Sequence, residues 1–188
     1  MQNPVAQRAT VRGFTLIELI AALAVAATLA TIAAPNFQAY VLNARRDGVV
    51  DGLTAALYYA RNQALNLDQP TTLCAGVPGP RCAGGNWNNG WQVVTLPAAS
   101  ATVTLTTHVV PATSSRPTLA ALNGSVAFVF DGRGLVTNMV AAGNEIMTVC
   151  DTRGASAARA VEVNRAGYIQ SSPRPGVQPD GTTALVCP

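Results

Sequence analysis

Gly13-Phe14-Thr15-Leu16-Ile17-Glu18-Leu19 opens an apolar run that ends at Pro35, and its reading decides the rest of the chain. Residues 14–34 hold 21 positions and one charge, Glu18. At 1.5 Å of rise per residue, a helix of that length spans roughly 30 Å, enough to cross a bilayer core. Residues 1–12 contain Arg8 and Arg12 and no acid. That asymmetry predicts a cytoplasmic N-terminus, with everything after about residue 35 outside the cytoplasm. A secretory signal peptide or a plain anchor would account for the length. Neither accounts for Glu18. A carboxylate in the membrane costs roughly 2.5–3.5 kcal/mol on insertion scales and usually marks function. No cation follows it within the run, so its partner is expected from elsewhere.

The same residues resemble the type IV prepilin signature. That resemblance implies cleavage after Gly13 by a prepilin peptidase and N-methylation of the new terminal residue, Phe14. It implies that the Phe14 ammonium pairs with Glu18, commonly on a neighbouring subunit, so that the carboxylate is neutralised in a filament core. Pro35 falls where the family carries a helix-kinking proline, and a proline there removes a backbone donor and bends or locally melts the helix. The implied organisation is a leader over 1–13, a transmembrane and filament-core helix over 14–35, and a periplasmic head over 36–188. The implied partners are other major and minor pilins through the N-terminal helix, the peptidase, and the inner membrane. The chain would be a single-pass inner-membrane protein before assembly and part of an extracellular pilus, at its tip or along its shaft, afterwards.

Composition agrees with one folded domain plus an anchor. Of 188 residues, 49% are hydrophobic and 11% charged, too apolar for a disordered tail and too polar for a multi-span protein. All 12 basic residues are Arg. Without Arg8 and Arg12, ten Arg face nine acids, so no global basic field draws nucleic acid. Four cysteines, Cys74, Cys82, Cys150 and Cys187, in an exported chain predict two disulfides with three possible connectivities.

Beyond Pro35 the helical pattern continues from Asn36 to about Asn66. Leu53, Leu57, Ala60, Ala64 and Leu67 recur at helical spacing and form one apolar face for packing on a sheet. Gly48 and Gly52 weaken the middle of that helix. After Pro70, β-branched runs predict strands at 71–74, 91–96, 103–110, 126–130, 135–137, 146–151, 160–164 and 168–170. Asp131-Gly132-Arg133-Gly134 is expected to close one hairpin and Asn164-Arg165-Ala166-Gly167 another. One long helix followed by antiparallel strands gives an α+β fold, and the resemblance implies that it is the type IV pilin fold, a long kinked helix, half of it transmembrane, packed on an antiparallel sheet.

A narrower resemblance runs from about residue 13 to the C-terminus. Ala60-Arg61-Asn62-Gln63-Ala64, Thr72-Leu73-Cys74, Cys82, Trp87, Gly90-Trp91, Phe130-Asp131-Gly132-Arg133-Gly134 and the stretch from Arg159 to Gly167 resemble, in that order, the FimT/FimU/GspH group of minor pilins and pseudopilins. In that group a terminal cysteine often ties down the tail, which implies Cys150 with Cys187 and leaves Cys74 with Cys82. The implied function is a minor pilin that primes or caps pilus assembly in support of motility, adhesion or DNA uptake. The alternatives are a DNA-binding competence pilin and a GspH-like pseudopilin of type II secretion.

Catalytic patterns are not found in the sequence. His108, the single histidine, sits in a Thr/Val-rich strand, and Ser114-Ser115 and Ser171-Ser172 lack an identifiable base. The spacing of Cys74 and Cys82 is unlike a zinc site, and Asp131, Asp151 and Asp180 show no calcium-ligand spacing. The expectation is a non-enzyme without metal or cofactor. DNA-binding members of the group use a Gly-Arg-x-Arg motif near the C-terminus, where this chain reads Gly167-Tyr168-Ile169-Gln170. Arg153, Arg159, Arg165 and Arg174 remain as candidate DNA contacts, but from 151 to 188 four Arg face three acids, and so few contacts give weak, salt-sensitive binding.

Overall fold

Asp68, with a φ of 49°, stops a helix that has run without interruption for 52 residues, α1 (Leu16–Leu67). The computed structural model describes residues 13–76, 82, 85–95, 103–108, 117–139 and 143–187, with only the backbone of Pro35 and of 103–108. Residues 1–12 of the expected leader, the expected strand ends Leu96, Val109 and Val110, and Ser114-Ser115 lie outside the described residues. The chain divides into two compact units, the first ending at Val41 and the second being Leu42–Pro188. The helical backbone continues through Pro35.

Within the second unit, strands follow the helix as β1 (Thr71–Ala75), β2 (Trp91–Thr95), β3 (Val103–His108), β4 (Thr118–Ala121), β5 (Ala127–Phe130), β6 (Asn144–Cys150), β7 (Arg159–Asn164) and β8 (Ile169–Ser171). They form two four-stranded antiparallel sheets, ordered β3-β2-β1-β5 and β4-β6-β7-β8. Strand alternation sends Leu73, Val93, Phe128 and Phe130 from one sheet, and Met147, Val149, Val161 and Val163 from the other, into one core. Val50, Leu53, Leu57, Ala60 and Ala64 of α1 enter that same core. Small residues at 60 and 64 let the helix approach the sheets closely. Leu67, assigned by periodicity to this face, is instead exposed, because the helix ends there.

Two strand readings change. Residues 135–137 form no strand, only an isolated bridge between Phe130 and Val136. Asp131 N and Thr137 N still donate to Leu135 O and Val129 O (2.9 Å each), and Asn138 continues the contact with its side chain: its Oδ1 accepts from Val129 N (2.7 Å) and its Nδ2 donates to Ala127 O (2.9 Å). Conversely, β4 was not expected. Its Thr-Leu-Ala-Ala carries little strand signal, and pairing with β6 makes it a strand. The turn at 131–134 forms, with Asp131 N donating to Leu135 O (2.9 Å). So does the hairpin at 164–167, which joins β7 to β8 with Val163 opposite Ile169.

Candidate functional site

The helix start is built by its own side chains. Glu18 N donates to Thr15 Oγ1 (3.3 Å), while the Glu18 carboxylate accepts from Thr15 N (3.3 Å) and from its hydroxyl (3.4 Å). This is a capping box, in which residues three apart satisfy each other's free helix-end donors. Threonine three positions before glutamate is a readable signal for it, and the motif's other meaning hid it. Further along, Thr28 Oγ1 donates to Val25 O (2.8 Å), Thr31 Oγ1 to Thr28 O (2.7 Å) and Asn36 Nδ2 to Ile32 O (3.1 Å). These neutral groups are thereby satisfied within the helix, as a low-dielectric surrounding requires.

Glu18 is different. Its capping partners are neutral, and among the described residues no cation pairs with it. Around it Phe14 is 87% exposed, and Leu16, Ile17, Leu19, Ile20, Leu23, Val25, Leu29, Ile32, Phe37 and Tyr40 are exposed too. Gly13 is exposed as well. By length and composition α1 is apolar enough to cross a membrane. A bare apolar helix with one charge is a surface for other chains or for lipid, not for water.

The head carries a second charge cluster, which the sequence hid. Arg46 is only 3% exposed. Its Nε and Nη2 bind Asp47 Oδ1 (2.9 and 2.8 Å), and its Nη1 donates to Ala157 O (2.6 Å). Arg159 Nη1 lies 3.8 Å from the same Asp47 oxygen, and its Nη2 donates to Ser172 O (2.7 Å). Arg153 pairs with Asp151 (2.5 Å) and donates to Asn43 Oδ1 (2.9 Å). Burial alone would raise the Asp151 pKa, but the Arg153 hydrogen bonds, the Arg153 backbone N–H and the charges of Arg153 and Arg46 together hold it below 3.8. The Asp151 hydrogen bond in turn raises Arg153. Nothing in the sequence separates Arg46 from Arg45.

This network answers where the candidate DNA contacts lie. Arg153 and Arg159 are drawn into ion pairs with Asp151 and Asp47, whereas Arg165 and Arg174 are exposed. Two of the four are thus engaged by carboxylates and two face solvent. At the other end of the packed helix, Arg61 Nε donates to Gly134 O (3.3 Å), and Val136 N donates to Arg165 O (2.9 Å), so the two glycine turns are seamed together over α1. The disulfides are Cys74–Cys82 and Cys150–Cys187. Among the described residues no group of His, Cys, Asp and Glu is arranged to hold a metal.

Comparison with known proteins gives this arrangement a family. The family described as type II transport protein GspH matches residues 49–167, more than half of the chain. The prokaryotic N-terminal methylation motif matches residues 8–34. Two crystal structures of the type IV minor pilin FimU of Pseudomonas aeruginosa are similar in fold. One, in space group P21, has a TM-score of 0.52 and 20% identity, over 68% of this chain and 88% of that one. The other, in P65, has a TM-score of 0.51 and 19% identity, over 68% and 92%. Family membership makes the exposed helix a surface for other pilins or pseudopilins and a membrane anchor. The chain belongs to the GspH family of pilin-like proteins, the minor pilins and pseudopilins of type IV pili and type II secretion, and carries their N-terminal methylation motif.

Proposed function

We propose that this chain is a non-catalytic minor subunit of a type IV pilus, cut after Gly13 by a prepilin peptidase and N-methylated on Phe14. The carrying observation is Glu18, a carboxylate on an exposed apolar helix that no cation pairs with among the described residues. Before assembly the helix spans the inner membrane with the head in the periplasm. On assembly the Phe14 ammonium of a neighbouring subunit meets the Glu18 carboxylate, and the apolar side chains of the two helices leave lipid for each other. The heads then face outward and prime or cap the filament. The helix and the charge pair do this work; no bond is made or broken by the subunit itself.

Processing and assembly are tested separately. Gly13→Ala is expected to leave the chain at precursor length on a gel; a mature-length band would overturn the cleavage reading. Glu18→Ala is expected to be cut and folded but absent from sheared filaments; normal incorporation would overturn the salt-bridge reading.

A second reading is favoured by the family match itself, which is to a type II transport protein. A pseudopilin would use the same helix and the same charge pair. Loss of exoprotein secretion with intact pili, on deleting the chain, would decide for it; loss of pili with intact secretion would decide for the pilus.

A further inference from the structure

The segment beyond β8 has a small core of its own. Leu185 is buried with Cys150, Ala158 and Ala160, and half-buried Ile146 and Cys187 pack against them. None of these belongs to the cluster that includes α1. Register explains the separation. Thr148 pairs with Ala160, so Ile146, Thr148, Cys150 and Ala160 share one face of the sheet, while Met147, Val149, Val161 and Val163 share the face toward the main core.

The same segment also lengthens an edge. β8 ends at Ser171, too early to cover the start of β7. Past it, Ser172 N donates to Ala160 O (2.8 Å), Ala160 N donates to Ser172 Oγ (2.9 Å), and Gly176 N donates to Ala158 O (2.8 Å). The chain then folds back, with Gln178 N on Thr183 O (2.7 Å) and Leu185 N on Gly176 O (3.0 Å), until Cys187 closes on Cys150.

We propose that residues 172–187 are an edge guard for β7, latched by Cys150–Cys187, which opens as a local unit when that bond is reduced. An uncovered strand edge is a template for pairing with another chain, and a covering segment is one way to block it. The guard contributes one large buried apolar side chain, Leu185. Segments with so little burial open well below the global unfolding free energy unless tied. Reduction by a dithiol would move two electrons and two protons to the bond, giving the thiols of Cys150 and Cys187 while the dithiol closes to its own disulfide. The main core would keep all its members. Cys74–Cys82 differs, because Cys74 lies within β1 between β2 and β5.

Hydrogen–deuterium exchange on the full chain in detergent tests this, with wild type compared to Cys187→Ser and to wild type treated with dithiothreitol. The expected result is exchange at least about tenfold faster at Ser172, Gly176 and Leu185, with Leu57, Leu73 and Val93 unchanged. Unchanged exchange at Gly176 and Leu185 would overturn the latch. Equal acceleration at Leu57, Leu73 and Val93 would overturn the local opening.

Discussion

Gly167 lies against Gly134 so closely that a Cβ built on Gly167 would fall 2.0 Å from the Gly134 carbonyl oxygen. The same Cβ would sit 2.9 Å from Arg61 Nε. Both glycines have positive φ, 74° and 76°, so backbone conformation and close approach demand glycine together. Gly167→Ala is expected to destabilise the head by about 2–4 kcal/mol. Gly124 is the control: its φ is 78°, but nothing lies within 4 Å of its Cβ position. Gly124→Ala therefore meets the conformational term alone, about 1 kcal/mol. Thermal denaturation of both variants should place Gly167→Ala well below Gly124→Ala.

Arg46 is expected to be the most sensitive arginine. Removing it leaves Ala157 O without its donor and Asp47 without its bidentate partner, for about 2–4 kcal/mol. Arg46→Lys should recover little, because one ammonium does not reproduce three bonds held in a fixed fork. Chemical denaturation of Arg46→Ala, Arg46→Lys and the exposed Arg174→Ala should show the first two close together and the third near wild type.

Acid should weaken the head in a defined window. The Asp180 carboxyl accepts from the Thr183 hydroxyl and from Thr182 N and Thr183 N, which lower its pKa from 3.8 to about 2. The Leu135 N–H, opposed by burial and aided by Arg133, lowers Asp131, and the Arg153 contacts lower Asp151 against burial. A carboxyl with a depressed folded pKa stabilises above the unfolded value and loses that contribution as pH falls through the folded one. The melting temperature should hold from neutral pH to about 4 and fall between about 4 and 2. Asp151→Asn should be less stable at neutral pH and show a shallower fall in the same titration.

Glu145 predicts a further sensitivity. It is 1% exposed, accepts from Asn123 N (2.8 Å) and from the Ser125 hydroxyl, and fixes the connection from β4 to β5. Glu145→Ala would strand two donors and cost about 2–4 kcal/mol. Ser125→Ala removes one neutral partner and should cost nearer about 1 kcal/mol. Equal losses for the two in urea titrations would count against this account.

The parts that could be read in advance share a property: they rest on local patterns. The apolar run with Glu18 gave the helix, the period of Leu53, Leu57, Ala60 and Ala64 gave its buried face, and Asp131–Gly134 and Asn164–Gly167 gave two turns. What escaped depends on partners far along the chain. β4 becomes a strand only because β6 offers it an edge. Arg46 is buried by Ala157, 111 positions away. Leu135-Val136-Thr137 reaches only a single bridge, and the Asn138 side chain takes the next bonds on Val129 and Ala127. The carboxylate partners of two candidate DNA contacts, Asp151 for Arg153 and Asp47 for Arg159, likewise follow from the fold.

The packed part of α1 is fastened at two stations, Arg46 on Ala157 O and Arg61 on Gly134 O, positions that differ by fifteen. At 1.5 Å per residue they stand roughly 22 Å apart. A helical segment held at two such bearings resists tilting on the sheets as well as sliding over them. Shear along the packed segment would load both fastenings at once, where a single contact would act as a pivot.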